Sequence, residues 1–426
     1  MHPCNRRQFI RAGTTLAALV ALDLKSADLA IRPGIDAKIR GLMLGTALGD
    51  AFGGPVEFQP RDDVQRLSNP PKLWRDDEIL DPAARDATIA RLLLRAYRDL
   101  RPEPESYGQW NHHSEAGTIT DDTRHKLILL HALRRAETSG RWPISEKDFA
   151  QAYLDWPKTP AVTASAGYVA LAADWLEEYE YAARWIVGER HLVTARPPER
   201  LWGGIPTCAG QMAMLPLAAL FAGKPESAYR AAYSLAFIDN SWARDMIASL
   251  VAGLAVTLVT EPDPKSPRRA WNSILHAVRT TDPFGYGSIR WTSRSVTRWL
   301  GVAETMARDA NHRPARLFAA LEKEFEFTTK WEAQVPFVVV FACLELADYD
   351  PLAALQLSME WGHDTDSYAQ LLGAFIGALH GPELFRASWR ERVTARLKAD
   401  HQVDLEDDCR LLSRLQRLSL KQQLIQ

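Results

Sequence analysis

Glycine costs a helix about 1 kcal/mol per position relative to alanine, yet two stretches of this chain repeat it every four residues inside helix-like sequence. The first, "GLMLGTALGDAFGGPVEF" from Gly41 to Phe58, carries Gly41, Gly45 and Gly49. The second, "GHDTDSYAQLLGAFIGALHG" from Gly362 to Gly381, carries Gly373, Gly377 and Gly381. Residues four apart lie on one side of a helix, so each stretch is predicted to be a helix with a bare stripe against which another backbone packs. Close packing also fixes where helix ends lie, and both helices carry acids at an end: Glu57 after the first, Asp364 and Asp366 at the mouth of the second.

A third segment, "GTITDDTRHKLILLHAL" from Gly117, places Thr120, Asp121 and Asp122 before an apolar pattern through Leu127, Leu130 and Leu133, which predicts another helix start. An Asp or Thr in that position is ordinarily an N-cap, and one cap per helix suffices. Glu57, Asp121, Asp122, Asp364 and Asp366 are five carboxylates. If they converge, their repulsion has to be neutralised or several must hold protons. Two divalent cations supply four positive charges, and an oxygen-only set of Asp, Glu, Thr and Ser selects hard ions. Magnesium or manganese is expected; calcium fits the same chemistry.

Elsewhere helical patterns dominate. They include "DATIARLLLRAYRDL", "DMIASLVAGLAVTLV" and "ARLFAALEKEFEF", while strand-type alternation is almost absent. "VPFVVVFACLELA" is read as a buried helix, and the tail after Pro382 as amphipathic helices packed on the body. The fold class predicted is all-α. Because the "TDDT" and "DTD" segments must meet, everything between them belongs to one body, although 426 residues would allow more than one domain.

The three acidic segments, in this order, resemble the signatures of the ADP-ribosylglycohydrolase family, over roughly Ile39 to Gly381. The resemblance implies a single orthogonal multi-helix globule with a two-metal site between helices, here spanning 31–426 with additional carboxy-terminal helices over 391–426. It implies two Mg2+ or Mn2+ ions held by Glu57, Thr120, Asp121, Asp122, Asp364, Asp366 and Ser367, the last replacing the usual threonine. It further implies hydrolysis of an N- or O-glycosidic bond to a ribosyl group, with Glu57 or Asp366 steering the water. The substrate would be a small molecule or an ADP-ribosylated protein, and the enzyme a monomer.

The middle signature departs from the family. Cys208 and Ala209 stand where Asn-Gly is usual, Ala213 replaces an arginine, and the later family histidine is missing from "LAFIDNSWARD". The metal half is thus retained while the substrate half has diverged, which puts ADP-ribose in question. An exported binding protein for a nucleotide or ribosyl ligand, without turnover, is the competing reading. Residues expected near the substrate are Trp110, Trp202 and Cys208, with His112 and His113 as lid groups.

A net charge of −2 with 24% charged residues leaves no electrostatic footprint for nucleic acid. Cys4, Cys208, Cys343 and Cys409 lack metal-type spacing, and Cys343 is expected in the core. Near the amino terminus, Arg6, Arg7 and Phe9 precede a modest apolar run from about Ala12 to Leu24, too short for an ordinary membrane span. Residues 1–30 are read as a twin-arginine export signal delivering a folded protein to the periplasm. An uncleaved signal would leave the protein anchored at the membrane, its one expected membrane contact.

Overall fold

The computed structural model describes residues 34–58, 79–80, 92–100, 113–163 and 166–423. Among these residues there are eighteen α-helices, and the sole strand-like pairing is an antiparallel bridge between Thr207 and Glu332. Asp36–Gln426 forms one compact unit. The export signal, Trp110 and His112 lie outside the described residues.

The two glycine helices pack on each other, backbone to backbone. In the first (Ile35–Gly53), a Cβ added at Gly41, Gly45, Gly49 or Gly53 would fall under 3.0 Å from the carbonyl oxygen of Gly377, Gly373, Ala369 or Thr365 respectively. The reciprocal clash holds for Gly373 against Gly45 and for Gly377 against Gly41. The partners step in opposite directions, so the helices run antiparallel. Hydrogen bonds stitch the seam: Thr46 Oγ1 donates to Gln370 Oε1 at 2.9 Å, and Thr365 Oγ1 to the Gly53 carbonyl at 2.8 Å. The second helix (Thr365–His380) is buried from Thr365 to Leu379, as expected of a helix apolar on every side.

The valine-rich stretch is a buried helix, Gln334–Leu346, containing Cys343. Cys208, Cys343 and Cys409 are all free and buried. The tail forms two helices, Ala387–His401 and Leu405–Gln423. Leu411, Leu412 and Leu415 are fully buried on the second, and Arg134–Asp408 and Arg414–Glu137 pairs fasten it to the Asp121–Ser139 helix. One expectation fails locally. Among the described residues of the "DATIARLLLRAYRDL" pattern, Leu92–Ala96 is not helical and only Tyr97–Leu100 closes a turn. There the Asp99 side chain accepts from the Ala96 amide, a local alternative to helix that Asp readily offers, and Pro102 follows.

Gly45→Ala is expected to destabilise the protein by about 3 kcal/mol, since the new methyl meets backbone that cannot yield. Gly301→Ala is the control. It also lies inside a helix, Ser295–Ala310, but its Cβ would meet nothing within 4 Å, so it should stabilise by up to about 1 kcal/mol. Urea unfolding midpoints of the two variants check this, and shifts of the same sign would refute the backbone seam.

Candidate metal centre

The seam delivers its acids to one place. After Gly53 the first helix tightens into a short 3-10 turn, Gly54–Val56, with Glu57 at its end. The next amide, Phe58 N, donates to the His363 carbonyl at 2.6 Å, which ties the residue after Glu57 to the residue before Asp364.

The Asp121–Ser139 helix joins through a residue that sequence reasoning passed over. Asp50, fully buried on the first glycine helix, accepts from Thr120 N at 2.9 Å and Thr123 N at 2.8 Å. It caps the neighbouring helix from outside. Thr120 Oγ1 accepts from Asp122 N at 3.2 Å, as an N-cap does. Together these bonds leave the Asp121 and Asp122 carboxylates free of capping. Asp364 occupies the N-cap position of its own helix yet makes no side-chain cap bond.

All five predicted acids converge. Ligand oxygens of Glu57, Asp364 and Asp366 lie within 4.8 Å of one another, as do those of Asp121, Asp122 and Asp366. Asp366 is common to both triads. The predicted hydroxyls are there too: Thr120 Oγ1 donates to Asp366 Oδ2 at 2.9 Å, and Ser367 Oγ to Asp122 Oδ2 at 3.2 Å. Asp122 Oδ1 is buried with no partner, a costly condition for a carboxylate oxygen unless something binds it. Oxygen donors in two triads around one shared carboxylate fit a pair of hard divalent cations.

The charges agree. Burial pushes every carboxyl upward, Asp121 to about 6 and Asp364 to about 7, and Glu57, Asp122 and Asp366 well above the usual carboxylate range. Neighbouring carboxylates push Glu57 and Asp366 further. Beneath the cluster lies the buried Lys126 ammonium, bonded to the Asp122 carbonyl at 2.8 Å and itself lowered to about 8 by burial. The buried Arg124 guanidinium also favours the charged Asp121, and two such cations still cannot balance five acids.

A cleft of about 240 Å³ opens onto the cluster, lined by Glu57, Asp121, Asp122, Asp364 and Ser367 on one side and by Phe58, Tyr179, Trp202 and Trp331 on the other. Cys208 also lines it, with Sγ 4.0 Å from Asp364 Oδ2 and 3.7 Å from Ser367 Oγ. Both described substrate candidates, Trp202 and Cys208, therefore reach the site. His113 is exposed and is not part of the lining. Tyr179 and Trp331 were missed, since neither stands near an acidic signature in sequence. A wider cavity of about 470 Å³, lined by Trp271, Tyr349 and several prolines, contains none of the expected ligands.

An all-helical body whose buried acids meet under a cleft defines a class of helical protein with a carboxylate site able to hold metal. The particular family follows from comparison: the sequence matches the ADP-ribosylglycohydrolase family over residues 32–421, and the chain belongs to it. It is a family of glycosidic-bond hydrolases, typically metal-dependent. No curated protein matches the sequence directly.

The raised carboxyls predict how the protein responds to pH without metal. Asp121 and Asp364 bind their protons more tightly folded than unfolded, so the stability each contributes is full below the unfolded value near 3.8 and is lost as pH rises through about 6 for the first and about 7 for the second. In chelator, the urea midpoint should fall between pH 5 and pH 8. Added magnesium should restore it, and should raise the melting temperature more at pH 8 than at pH 5. A magnesium effect that is larger at pH 5 would contradict this assignment.

Proposed function

We propose that this protein is a metal-dependent glycohydrolase that cleaves an N- or O-glycosidic bond to a ribosyl group, acting as a monomer with two Mg2+ or Mn2+ ions. The observation that carries the reading is the pair of oxygen-only triads sharing Asp366, with a buried, partnerless Asp122 oxygen at the base of the cleft. Glu57, Asp364 and Asp366 would hold one ion, Asp121, Asp122 and Asp366 the other, with Thr120 and Ser367 completing the sets. Bound ions supply polarisation of sugar hydroxyls and an activated water.

The chain's own residues do the rest. Glu57 or Asp366 steers the attacking water and takes its proton as the anomeric carbon acquires oxocarbenium character. The Thr120 and Ser367 hydroxyls keep the Asp366 and Asp122 carboxylates oriented. Cys208, with its thiol pushed up by burial and by Asp364, stays protonated and is no nucleophile.

Turnover of ribosyl glycosides, ADP-ribosyl-arginine and ADP-ribosyl-serine by the magnesium-loaded protein tests the reading. Asp122→Ala should lower ion binding severely, and Glu57→Gln should lower kcat by about 10²-fold or more. Ligand binding without any ribosyl release would favour the non-catalytic binding protein instead.

We also infer export from Arg6, Arg7, Phe9 and the apolar run that follows. Residues 1–35 should carry a folded reporter to the periplasm, and Arg6→Lys with Arg7→Lys should retain it. Equal export of the double variant would refute the signal.

A further inference from the structure

The wall of the cleft facing the carboxylates is a built feature. Trp202 has φ +49°, a left-handed conformation that bulky residues seldom adopt, and such strain persists where surrounding structure enforces it. Here the enforcement is visible. Asn240, nearly buried, donates through Nδ2 to the carbonyls of Leu201 at 3.4 Å and Ile205 at 3.0 Å, bracketing Trp202 on both sides. The Trp202 ring meets those of Tyr179 and Trp331 edge-on, at centroid distances of 5.9 Å and 5.8 Å.

Trp331 is held in turn by Cys208 N, which donates to its carbonyl at 3.0 Å, and by the Ala333 N bond to the Pro206 carbonyl at 2.9 Å. So the segment that carries the altered middle signature is also the segment that fixes the second indole. Despite all this support, Trp202 remains 36% exposed. Its exposed indole lines the cleft, where an aromatic surface suits a flat ligand.

Charge narrows the ligand. Among the described residues that line the cleft there are four carboxylates and no Lys, Arg or His. Lys126 is spent on the Asp122 carbonyl. Two divalent ions would leave the five acids close to neutral, with no surplus positive charge for a diphosphate.

We propose that the cleft takes a nucleoside-like ligand: a ribosyl group whose hydroxyls face the carboxylate end, joined to a flat, unphosphorylated heteroaromatic group stacked on Trp202, with Trp331 standing at an angle beside it. This rests on the ribosyl-directed reading above. Asn240 is a positioning residue, acting through Trp202. In the reaction the C1′–N bond breaks, the water oxygen bonds to C1′, and the bonding pair with a proton leaves on the base nitrogen, giving free ribose and free base.

Calorimetric titration of the magnesium-loaded full chain with adenosine and with ADP-ribose tests the ligand class separately from catalysis. Adenosine should bind at least as tightly as ADP-ribose. Trp202→Ala should weaken adenosine roughly tenfold, the loss of one stacking face, with ion content unchanged and with Trp202→Phe recovering most of the affinity. Asn240→Ala should weaken it in the same way and raise KM rather than lower kcat. ADP-ribose binding tenfold tighter than adenosine, no adenosine binding, or indifference to Trp202→Ala would overturn the proposal. Adenosine binding that depends on Trp202, with no ribosyl compound hydrolysed, would uphold the ligand class and refute the hydrolase reading.

Discussion

Two helix backbones in direct contact set the geometry of everything else. At Gly41, Gly45, Gly49 and Gly53 the first helix meets the main chain of Gly377, Gly373, Ala369 and Thr365 directly, so the separation and register of the helices are fixed largely by main-chain atoms. Side chains can hop between rotamers and absorb small errors, but peptide groups cannot. Glu57 and Asp364 emerge together at the Gly53–Thr365 end of this seam and are placed by it. The Phe58–His363 backbone bond extends the constraint one step beyond the helices. Asp50 passes it to the third element by receiving two amides of the Asp121–Ser139 helix.

That transfer resolves a conflict between local and global demands. Acids at helix starts are normally consumed by capping. Here Asp50 and the Thr120 hydroxyl take over much of the capping for the Asp121–Ser139 helix, and Asp364 forgoes it altogether. Released acids in a buried setting repel one another, and the site counters this with hydroxyl donors from Thr120 and Ser367 and with one buried ammonium. The remainder falls to protons or cations. A cluster so arranged is stable at low pH in one form and at high pH only in another.

Much of this was legible because its signals are local. Four-residue glycine spacing names a helix face whatever packs against it, and an Asp-x-Asp at a helix mouth exceeds what capping needs. Asp50 escaped notice for the opposite reason: one acid inside a helix, in "LGDAF", reads as ordinary surface until the neighbouring helix is in place. Leu92–Ala96 misled because apolar spacing was present while the Asp99 side chain favoured a turn. The aromatic wall was half visible. Trp202 was flagged beside the altered Cys208 segment, but its partner Trp331 comes from a loop more than a hundred residues away. Their meeting depends on the Thr207–Glu332 bridge, which no periodicity announces.

The seam joins the two ends of the chain, and that has a consequence for how the protein is made. Thr46 and Gln370 touch across 324 residues, so the first glycine helix leaves the ribosome long before its partner exists. Until then its bare stripe has nothing to lie against, and Glu57, Asp121 and Asp122 lack the Asp366 carboxylate that joins them. Contacts this distant form late. The growing chain thus carries no partial active centre: a product cut short before residue 364 has neither the seam nor the shared acid. Any ion that needs Asp366 would have to wait for the Thr365–His380 helix to emerge.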